Sequence, residues 1–428
     1  MAARPYDLVL LGATGYTGGL TAEYLARQAP AALRWAIAGR DRNKLRELAS
    51  RLADGAQAKP ECVTADAADS ASLARLAQSA RVMLSTVGPY LQRGEALVKA
   101  CAEAGTHYAD ITGESEFVDR MWLGYHTTAL KTGARIVPSC GFEALVPDLG
   151  AYYTVRQLPE GVPIRLEGFV RVDATFSKGT PLHSVVTALS RMKQRKAAHR
   201  ERAAQEPQHR RIGTTRQRLH FQRALNAWVV PFPSVDPQIV RRSAAALEAY
   251  GPDFRYGHYL QVPSFGKLVG VLTGATALFA ASQMSLTRKW LLSLRPPGVG
   301  PTAEERERGT FSATFLGETG GVKIRTQVSG GDPGYGETSK LLAESGLCLA
   351  LDPLPEGRAG CLTPVVAMGD ALLRRVEASG IRFETLRREP QQDKNPAGSG
   401  GHCRRELAPD LVASKLAPTK PGFPPSRQ

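Results

Sequence analysis

The sequence predicts an α/β protein with two domains: a doubly wound parallel sheet, then a second α+β domain whose sheet is largely antiparallel. Three observations lead to this prediction. Up to about residue 150, short apolar runs alternate with segments of helical periodicity. A glycine-rich turn joins the first apolar run to the first helical segment. Beyond residue 150, longer stretches of alternating polar and apolar residues replace this pattern.

The first strand is predicted at residues 8–11, and three glycines follow it at the mouth of a helix: Gly12, Gly15 and Gly18. One glycine permits unusual backbone angles, a second lets the main chain approach a ligand, and a third lets helix and strand lie close together. A helix N-terminus offers free N–H groups and about +0.5 of a charge, which suits a pyrophosphate. The motif favours a Rossmann-type dinucleotide site over a ligand-free glycine turn.

Further strand and helix repeats follow this turn. A strand is predicted at residues 33–38, after which Asp41 is the expected N-cap of a helix. Strands alternating with helices imply right-handed crossovers and a sheet covered on both faces. The remaining strands are predicted within ECVTAD (61–66), VMLSTVG (82–88), HYADI (107–111) and ARIVPSCGF (134–142).

The residue after the second strand bears on the choice of cofactor. In dinucleotide-binding sheets this corner meets the adenosine ribose, where an acidic residue accepts from a free 2′-hydroxyl and an arginine pairs with a 2′-phosphate. The corner here is Gly39-Arg40, so we expect NADP(H) to be the cofactor. In the alternative, Arg40 is a surface residue and Asp41 is the ribose acceptor.

The domain boundaries follow from these patterns. We predict an NADP-binding domain at 1–150, a second domain at 151–355, and a C-terminal helix and strand at 356–389 that pack back on the first domain. The antiparallel sheet is predicted from three strand-like stretches, two of which are joined by a hairpin-type connection at 317–321. Residues 390–428 are rich in Pro, Gly, Lys and Ser, which predicts a disordered tail.

Composition narrows the class of protein. The chain has 428 residues and a net charge of +15, with the excess concentrated at 190–223, where eleven Lys and Arg face two Glu. We interpret this basic segment as a solvated helix and loop, or else as a docking surface; nucleic acid is not an expected partner, because no aromatic platform accompanies the charge. Six cysteines without paired spacing and no leader before the first strand predict a cytoplasmic protein with free thiols and no metal site.

An apolar segment at 268–287 contains twenty residues without a charge. A bilayer core needs about 20 predominantly apolar residues, but this segment is rich in Gly, Thr and Ser, which argues against a membrane span. We expect a buried or apolar surface helix that lines or covers a lipid-like ligand and touches a membrane only peripherally. Ordinary core packing is the alternative.

Several motifs together resemble those of the saccharopine dehydrogenase-like oxidoreductases: GATGYTG, AGR, VGPY, CAEAGTHYADITGE, PSCGF and LTPVVAMGDALLRRVEASGIRF. Within that group the chain is most similar to the trans-acting enoyl reductases, which act with polyketide synthases on acyl chains held by a carrier protein. The resemblance therefore implies an NADPH-dependent reductase of a carbon–carbon double bond. The alternatives are an imine reductase of the saccharopine type and a non-catalytic nucleotide-binding protein at lipid surfaces.

The resemblance also implies positions for the cofactor. It places Arg40 at the 2′-phosphate and Asp66 near the adenine. One departure is visible: the family commonly reads G-F-D-S-x-P-x-D where this chain has Glu143 in place of the aspartate and a shifted Pro147. Residues implied around the pyrophosphate are Gly12, Ala13, Thr14, Gly15, Tyr16, Thr17 and Gly18, and those near the nicotinamide ribose are Thr86, Val87, Gly88 and Pro89.

Reduction of an enoyl thioester produces an enolate that needs hydrogen-bond donors and a proton at the α-carbon. By their place at the strand ends, the candidates for these roles are Tyr90, Tyr108 and Asp110, together with His107. Each of them has an alternative role in packing a strand or fixing a loop.

Overall fold

The first 155 residues alternate strands with helices, as the sequence predicts. The computed structural model describes residues 4–173, 190–207, 210–283, 287, 291 and 300–390. The strands of this first part are β1 (Tyr6–Leu11), β2 (Trp35–Gly39), β3 (Glu61–Thr64), β4 (Ala80–Ser85), β5 (His107–Asp110) and β6 (Arg135–Val137). Its helices are α1 (Tyr16–Gln28), α2 (Arg42–Ala53), α3 (Ser70–Ser79), α4 (Tyr90–Arg93), α5 (Glu95–Ala104), α6 (Ser115–Thr132) and α7 (Phe142–Val155).

These six strands form a parallel sheet in the order β6-β5-β4-β1-β2-β3. The central strand β1 is buried on both faces: Leu8 and Leu10 belong to one hydrophobic cluster, and Val9 and Leu11 belong to another. Because successive side chains of a strand point to opposite faces, helices must cover both sides of the sheet. The predicted doubly wound sheet is confirmed.

The second part of the chain contains longer strands. Its elements are β7 (Ile164–Asp173), α8 (Met192–Gln205), β8 (Arg211–Thr214), β9 (His220–Gln222), β10 (Ala227–Pro231), α9 (Asp236–Ala246), β11 (Asp253–Val262), α10 (Phe265–Gln283), α11 (Ala303–Glu307), β12 (Thr310–Thr319) and β13 (Val322–Gly330). The C-terminal elements are α12 (Gly336–Leu351), β14 (Gly360–Cys361), α13 (Pro364–Ala378) and β15 (Arg382–Pro390).

The second sheet has the order β15-β13-β12-β7-β11-β10-β9, and β8 also pairs with β11. All its pairs are antiparallel except those of β11 with β7 and with β8. The sheet is therefore mixed but largely antiparallel, as predicted.

The C-terminal elements join both sheets. Strand β14 extends the first sheet by pairing in parallel with β6. Strand β15, which we expected on the first domain, instead pairs with β13 at the edge of the second sheet. The free edge of β13 offers a row of backbone partners along the whole of this strand, whereas β14 already covers the β6 edge of the first sheet. The predicted disordered tail lies outside the described residues, apart from Pro390.

Helix α7 connects the two sheets, and the boundary predicted at residue 150 falls within it. Gly150 lies so close to β12 that a Cβ there would sit 2.2 Å from the ring of Phe315. The same hydrophobic cluster contains Leu149 of α7, Phe315 of β12 and Leu8 of β1. The two sheets thus share one core, which holds the carboxyl ends of the parallel strands close to the second sheet.

The basic segment is partly a docked element. Helix α8 lies against α6, where Arg191 forms a bidentate ion pair with Glu116 at 2.7 and 2.8 Å, and buried Arg202 binds Asp119. Lys193 and its neighbours on the outer face of α8 are exposed. The segment therefore combines buried ion pairs with a solvated basic face.

Helix α10 covers most of the apolar segment, and it is exposed. Only Leu268 and Ser282 of its residues are buried, whereas Phe265 is 62% exposed and Val269 47%. The helix is also long and apolar enough to cross a membrane, by its length and composition alone. Ordinary core packing, the alternative interpretation of this segment, is wrong for these residues.

Candidate functional site

The glycine turn between β1 and α1 adopts a conformation that a side chain would disrupt. Gly12 has φ +90°, and a Cβ there would lie 2.7 Å from the hydroxyl of Thr86. A Cβ on Gly18 would lie 2.1 Å from the carbonyl oxygen of Gly12, so α1 packs directly on the turn. At Gly15 a Cβ would meet only that carbonyl oxygen, at 3.3 Å.

The exposed tip of this turn fits a pyrophosphate. Thr14 and Gly15 are exposed there, Gly15 is the N-cap of α1 without a side-chain cap, and the first turn of α1 has no acidic residue. Backbone N–H groups at a helix N-terminus attract phosphate oxygens, and no acidic side chain in the first turn of α1 opposes them. Ala13 is fully buried and anchors the turn from beneath.

Tyr16 and Thr17, which we predicted to lie near the pyrophosphate, also contact the second part of the chain. The hydroxyl of Tyr16 donates to the carbonyl of Pro301 and accepts from Arg306, and its ring packs edge-on against Tyr335 with centroids 4.8 Å apart. The carbonyl of Thr17 accepts from the hydroxyl of Ser339 at 3.2 Å. The second part of the chain therefore closes over one side of the glycine turn.

The corner after β2 distinguishes the two candidates for the ribose. The Asp41 carboxylate caps α2 by accepting from the backbone N–H groups of Asn43 at 3.0 Å and Lys44 at 3.1 Å. Arg40 is exposed, and no hydrogen bond or ion pair within the described part of the chain engages it. One oxygen of Asp41 is therefore held by the helix cap, whereas the guanidinium of Arg40 has no protein partner in the described chain. Asp66 follows β3 and accepts from the N–H of Ala68 at 2.9 Å.

The loop after β4 is fastened to its neighbours. The Thr86 hydroxyl donates to the carbonyl of Gly12 at 3.1 Å, which ties this loop to the glycine turn. Val87 and Gly88 then lead to Tyr90, whose backbone N–H donates to Glu114 at 2.9 Å. The second Glu114 oxygen accepts from the N–H of Leu91 at 3.0 Å, so this buried carboxylate caps α4 from the loop after β5.

Asp110 organises the loops after β5 and β6. One of its oxygens accepts from the N–H groups of Thr112 and Ser139, both at 2.9 Å, and the other accepts from the Tyr108 hydroxyl at 2.7 Å. Asp110 is fully buried, and this burial raises the pKa of its carboxyl to about 6. The carboxyl ends of three neighbouring strands are thus held in a fixed arrangement.

The structure places the predicted catalytic residues in this scaffold. Tyr108 and Asp110 bind each other in the core, and the hydroxyl of buried Tyr90 donates to the carbonyl of Ser85 at 3.0 Å. His107 begins β5, so it lies at the opposite end of the strand from the loops described above. Its Nδ1 accepts from the N–H of Arg135 at 3.1 Å, and burial lowers the pKa of its imidazole to about 4.

A second group of polar side chains lies beside the strand-end loops that Asp110 organises. The sequence did not lead us to assign this group a role. Glu143 stands in the first turn of α7, with its carboxylate so near Gly113 that a Cβ on the glycine would lie 2.4 Å from Oε2. On the second sheet and α9, Nε2 of His258 lies 2.9 Å from Oδ2 of Asp236, and Nδ1 of His258 lies 3.0 Å from the Tyr256 hydroxyl. Tyr256 and His258 are polar residues on the buried face of β11. Polar residues on the apolar face of a strand are the signal by which the sequence could have indicated this group.

The surroundings of Glu143 raise the pKa of its carboxyl. The protein atoms packed around its carboxyl raise the pKa to about 7, and the negative charge of Asp236 adds to the shift, although the side chain keeps contact with solvent. Within the described ranges, no group of three or more His, Cys, Asp or Glu residues could hold a metal ion. This edge of the sheet therefore brings together an exposed helix N-terminus and a carboxyl whose pKa is raised to about 7.

Comparison with known proteins agrees with this geometry. Residues 8–137 match the saccharopine dehydrogenase NADP binding domain. Over 90% of the chain, it is 36% identical to a trans-acting enoyl reductase of Mycobacterium tuberculosis and 34% identical to one of Mycobacterium ulcerans, covering 99% of each relative. Another M. tuberculosis protein, which bears the same name provisionally, is 38% identical over 90% of this chain and 98% of its own length.

A solved structure shares the fold. The apo saccharopine dehydrogenase (L-Glu forming) of Saccharomyces cerevisiae superposes with a TM-score of 0.54 at 13% identity, covering 89% of this chain and 100% of that one. The glycine turn and the free Arg40 fit the NADP-binding domain that the family match specifies. The chain therefore belongs to the saccharopine dehydrogenase-like family of NADP-dependent oxidoreductases, together with the trans-acting enoyl reductases.

Proposed function

We propose that this oxidoreductase reduces the carbon–carbon double bond of an enoyl thioester whose acyl chain is carried by an acyl carrier protein. The observation that carries the proposal is the likeness to relatives named trans-acting enoyl reductase over nearly their whole length. The absence of a metal-binding group among the described residues is compatible with it, because the cofactor supplies the hydride and the protein positions the acceptor.

In this proposal, different residues bind different parts of the cofactor. The exposed N-terminus of α1 and the glycine turn hold the pyrophosphate, and Arg40 binds the 2′-phosphate. Asp66 lies towards the adenine at the end of β3. Thr86, Val87 and Gly88 border the nicotinamide ribose, because they follow β4 at the centre of the sheet.

We assign Tyr90, Tyr108 and Asp110 a positioning role. All three are buried, and their polar side-chain atoms are bound to protein partners. An acid that donates to substrate must reach it, and these groups would first have to break the bonds that hold the strand-end loops. Their removal should therefore lower stability together with activity.

The carrier protein would dock on the basic face of α8. Lys193, Lys196 and Arg200 recur at helical spacing on that face and are exposed, whereas the carboxylates of α6 already pair with Arg191 and Arg202. An acidic carrier would be steered to such a face by charge complementarity. We expect this docking to be weakened by salt.

The acyl chain or a lipid surface would contact α10. This helix exposes an apolar surface in which Leu272 is 39% and Phe279 42% exposed, and it carries a single charge, Lys267. Contact with an acyl chain contributes about 0.8 kcal/mol per buried methylene. In a cytoplasmic protein such a surface is compatible with peripheral association with lipid.

The proposed function is tested by following NADPH consumption with enoyl thioesters presented on a carrier protein and as short pantetheine derivatives. We expect consumption with both and a lower KM for the carrier-bound substrate. The variant K193E/K196E should raise the KM for the carrier-bound substrate several-fold and leave that for the short thioester unchanged. Equal effects on both substrates would contradict docking on α8.

A saccharopine-type imine reductase is the competing activity. The same assay with an amino acid and an oxo acid in place of the enoyl thioester separates the two. NADPH consumption with this pair alone would reject enoyl reduction.

A further inference from the structure

We propose that Glu143 is the acid that protonates the α-carbon of the substrate, and that Asp236, His258 and Tyr256 form a buried polar chain that positions it. This inference rests on the proposed enoyl reduction. It adds a catalytic residue and three positioning residues.

The place of Glu143 in the fold supports this role. It follows β6, whose carboxyl end lies beside that of β5, and its carboxylate lies against Gly113 in the loop after β5. Ligands of open parallel sheets bind outside the carboxyl ends of the strands. The neighbouring N–H of Phe142 is held by the hydroxyl of Thr338 at 3.2 Å, which fixes the start of α7.

Glu143 differs from the other carboxylates at the carboxyl ends of the parallel strands because its own carboxylate has no protein partner among the described residues. Asp110 and Glu114 each accept two backbone N–H groups, and Asp332 caps the loop that precedes α12. For Glu143 no hydrogen bond or ion pair is found within the described residues, and its side chain is exposed. A carboxyl with these properties can donate to a ligand without dismantling the scaffold.

The second sheet provides the positioning chain. Asp236 and His258 are 3% and 0% exposed, so the 2.9 Å contact between them is buried. The other oxygen of Asp236 has no partner among the described residues, although it too is buried. Val235 and Ile239 of this segment pack with Ala144, the neighbour of Glu143, in one small cluster. The start of α9 is thereby fixed against the start of α7.

The proton transfer from Glu143 follows the hydride transfer. Once the β-carbon has received hydride from NADPH, which is oxidised to NADP⁺, the substrate carries an enolate. The O–H bond of protonated Glu143 then breaks, its electron pair stays on the carboxylate, and a C–H bond forms at the α-carbon. The carboxylate regains a proton from water, with which it is in contact. The raised pKa of about 7 keeps the acid form present near neutral pH.

The first test measures protonation without the cofactor. Infrared difference spectra of the protein recorded between pH 5 and 9 should contain a carboxyl signal near pH 7 that is lost in E143Q; buried Asp148 of α7, whose pKa is also raised to about 7, should give a second signal that E143Q retains. The titratable groups on the elements packed against Glu143 are Asp110 and Glu114 on the loop after β5, and Asp236, His258 and Tyr256 on the second part of the chain. Because the charge of Asp236 raises the pKa of Glu143, D236N should move this titration to lower pH.

The second test measures turnover. A general acid typically contributes about 100-fold or more, so E143Q should lose that factor in kcat and keep its NADPH affinity. In the unmodified protein kcat should fall as pH rises through about 7, since the proton donor is lost, and this dependence should vanish in E143Q. E143D should retain part of the activity and the pH dependence. E160Q, beyond the far end of α7, is the matched control and should change neither.

The outcomes separate the two proposals. Full kcat with an unchanged pH profile in folded E143Q would reject Glu143 as the acid, and so would infrared spectra in which E143Q removes no carboxyl signal near pH 7. If E143Q does not fold, D236N decides instead, because a pH profile of kcat that D236N leaves unshifted also rejects it. If the unmodified protein consumes no NADPH with any enoyl thioester, the proposed function fails first, and Glu143 loses its role with it.

Discussion

The preference for NADPH over NADH should depend on Arg40. Its side chain is exposed and free within the described chain, while Asp41 next to it is committed to capping α2. In R40A the 2′-phosphate loses its cationic partner, and the neighbouring Asp41 cannot replace it because a carboxylate repels a phosphate. NADH has no 2′-phosphate, so its affinity should not change.

The size of the effect follows from the interaction that is lost. Hydrogen bonds to charged groups contribute about 1.5–3 kcal/mol, and each 1.4 kcal/mol is a factor of ten in affinity. R40A should therefore weaken NADPH binding about 10- to 150-fold. Because the pair is exposed, raising the salt concentration should reduce the effect towards the lower value.

Calorimetric titration of both cofactors tests this expectation. Arg51 is exposed near the other end of α2, about 14 Å along the helix from its start, so R51A is the matched control and should bind both cofactors normally. If R40A bound NADPH as tightly as the unmodified protein does, or if that protein did not prefer NADPH, Arg40 would not be the phosphate ligand.

Three further outcomes are expected. G15V should abolish NADPH binding in calorimetry without lowering Tm, because only one carbonyl oxygen crowds that position, whereas G18V should lower Tm because its Cβ would lie 2.1 Å from a carbonyl oxygen; equal Tm losses would contradict this division of roles. E114Q should lower the free energy of unfolding in urea by about 1.5–3 kcal/mol, since an amide can replace only one of two accepting oxygens, and an unchanged urea midpoint would contradict the cap. L272S/F279S should reduce sedimentation with anionic vesicles and should flatten the dependence of KM on acyl length, while the affinity for NADPH stays unchanged. If both sedimentation and chain-length dependence stay normal, α10 contacts neither the lipid surface nor the acyl chain.

The parallel sheet and its cofactor turn could be predicted because their causes are local. Apolar runs such as residues 8–11 specify buried strands, and the glycine spacing follows from contacts within one βα unit. The N-cap of α2 at Asp41 is also a local feature, and the structure confirms it. That cap supports the proposal that Arg40, not Asp41, meets the ribose phosphate.

The remaining features depend on contacts that are distant in sequence. Glu143 and His258 are separated by more than 100 residues and are brought to the same region by the packing of α9 on α7. Strand β15 was predicted on the first domain but pairs with the second sheet, because its pairing depends on which strand edge is free. The exposure of α10 could not be predicted either, because its composition is compatible with a core helix and with a surface helix.

We propose that NADPH reduces an enoyl thioester on this protein. The most direct measurement follows NADPH fluorescence and product mass together after the protein is mixed with a carrier-bound enoyl thioester. We expect that each NADPH consumed yields one saturated thioester, and that R40A shows the same stoichiometry at higher NADPH concentrations. NADPH that stays unconsumed across acyl lengths, or that is consumed without a saturated product, would contradict it.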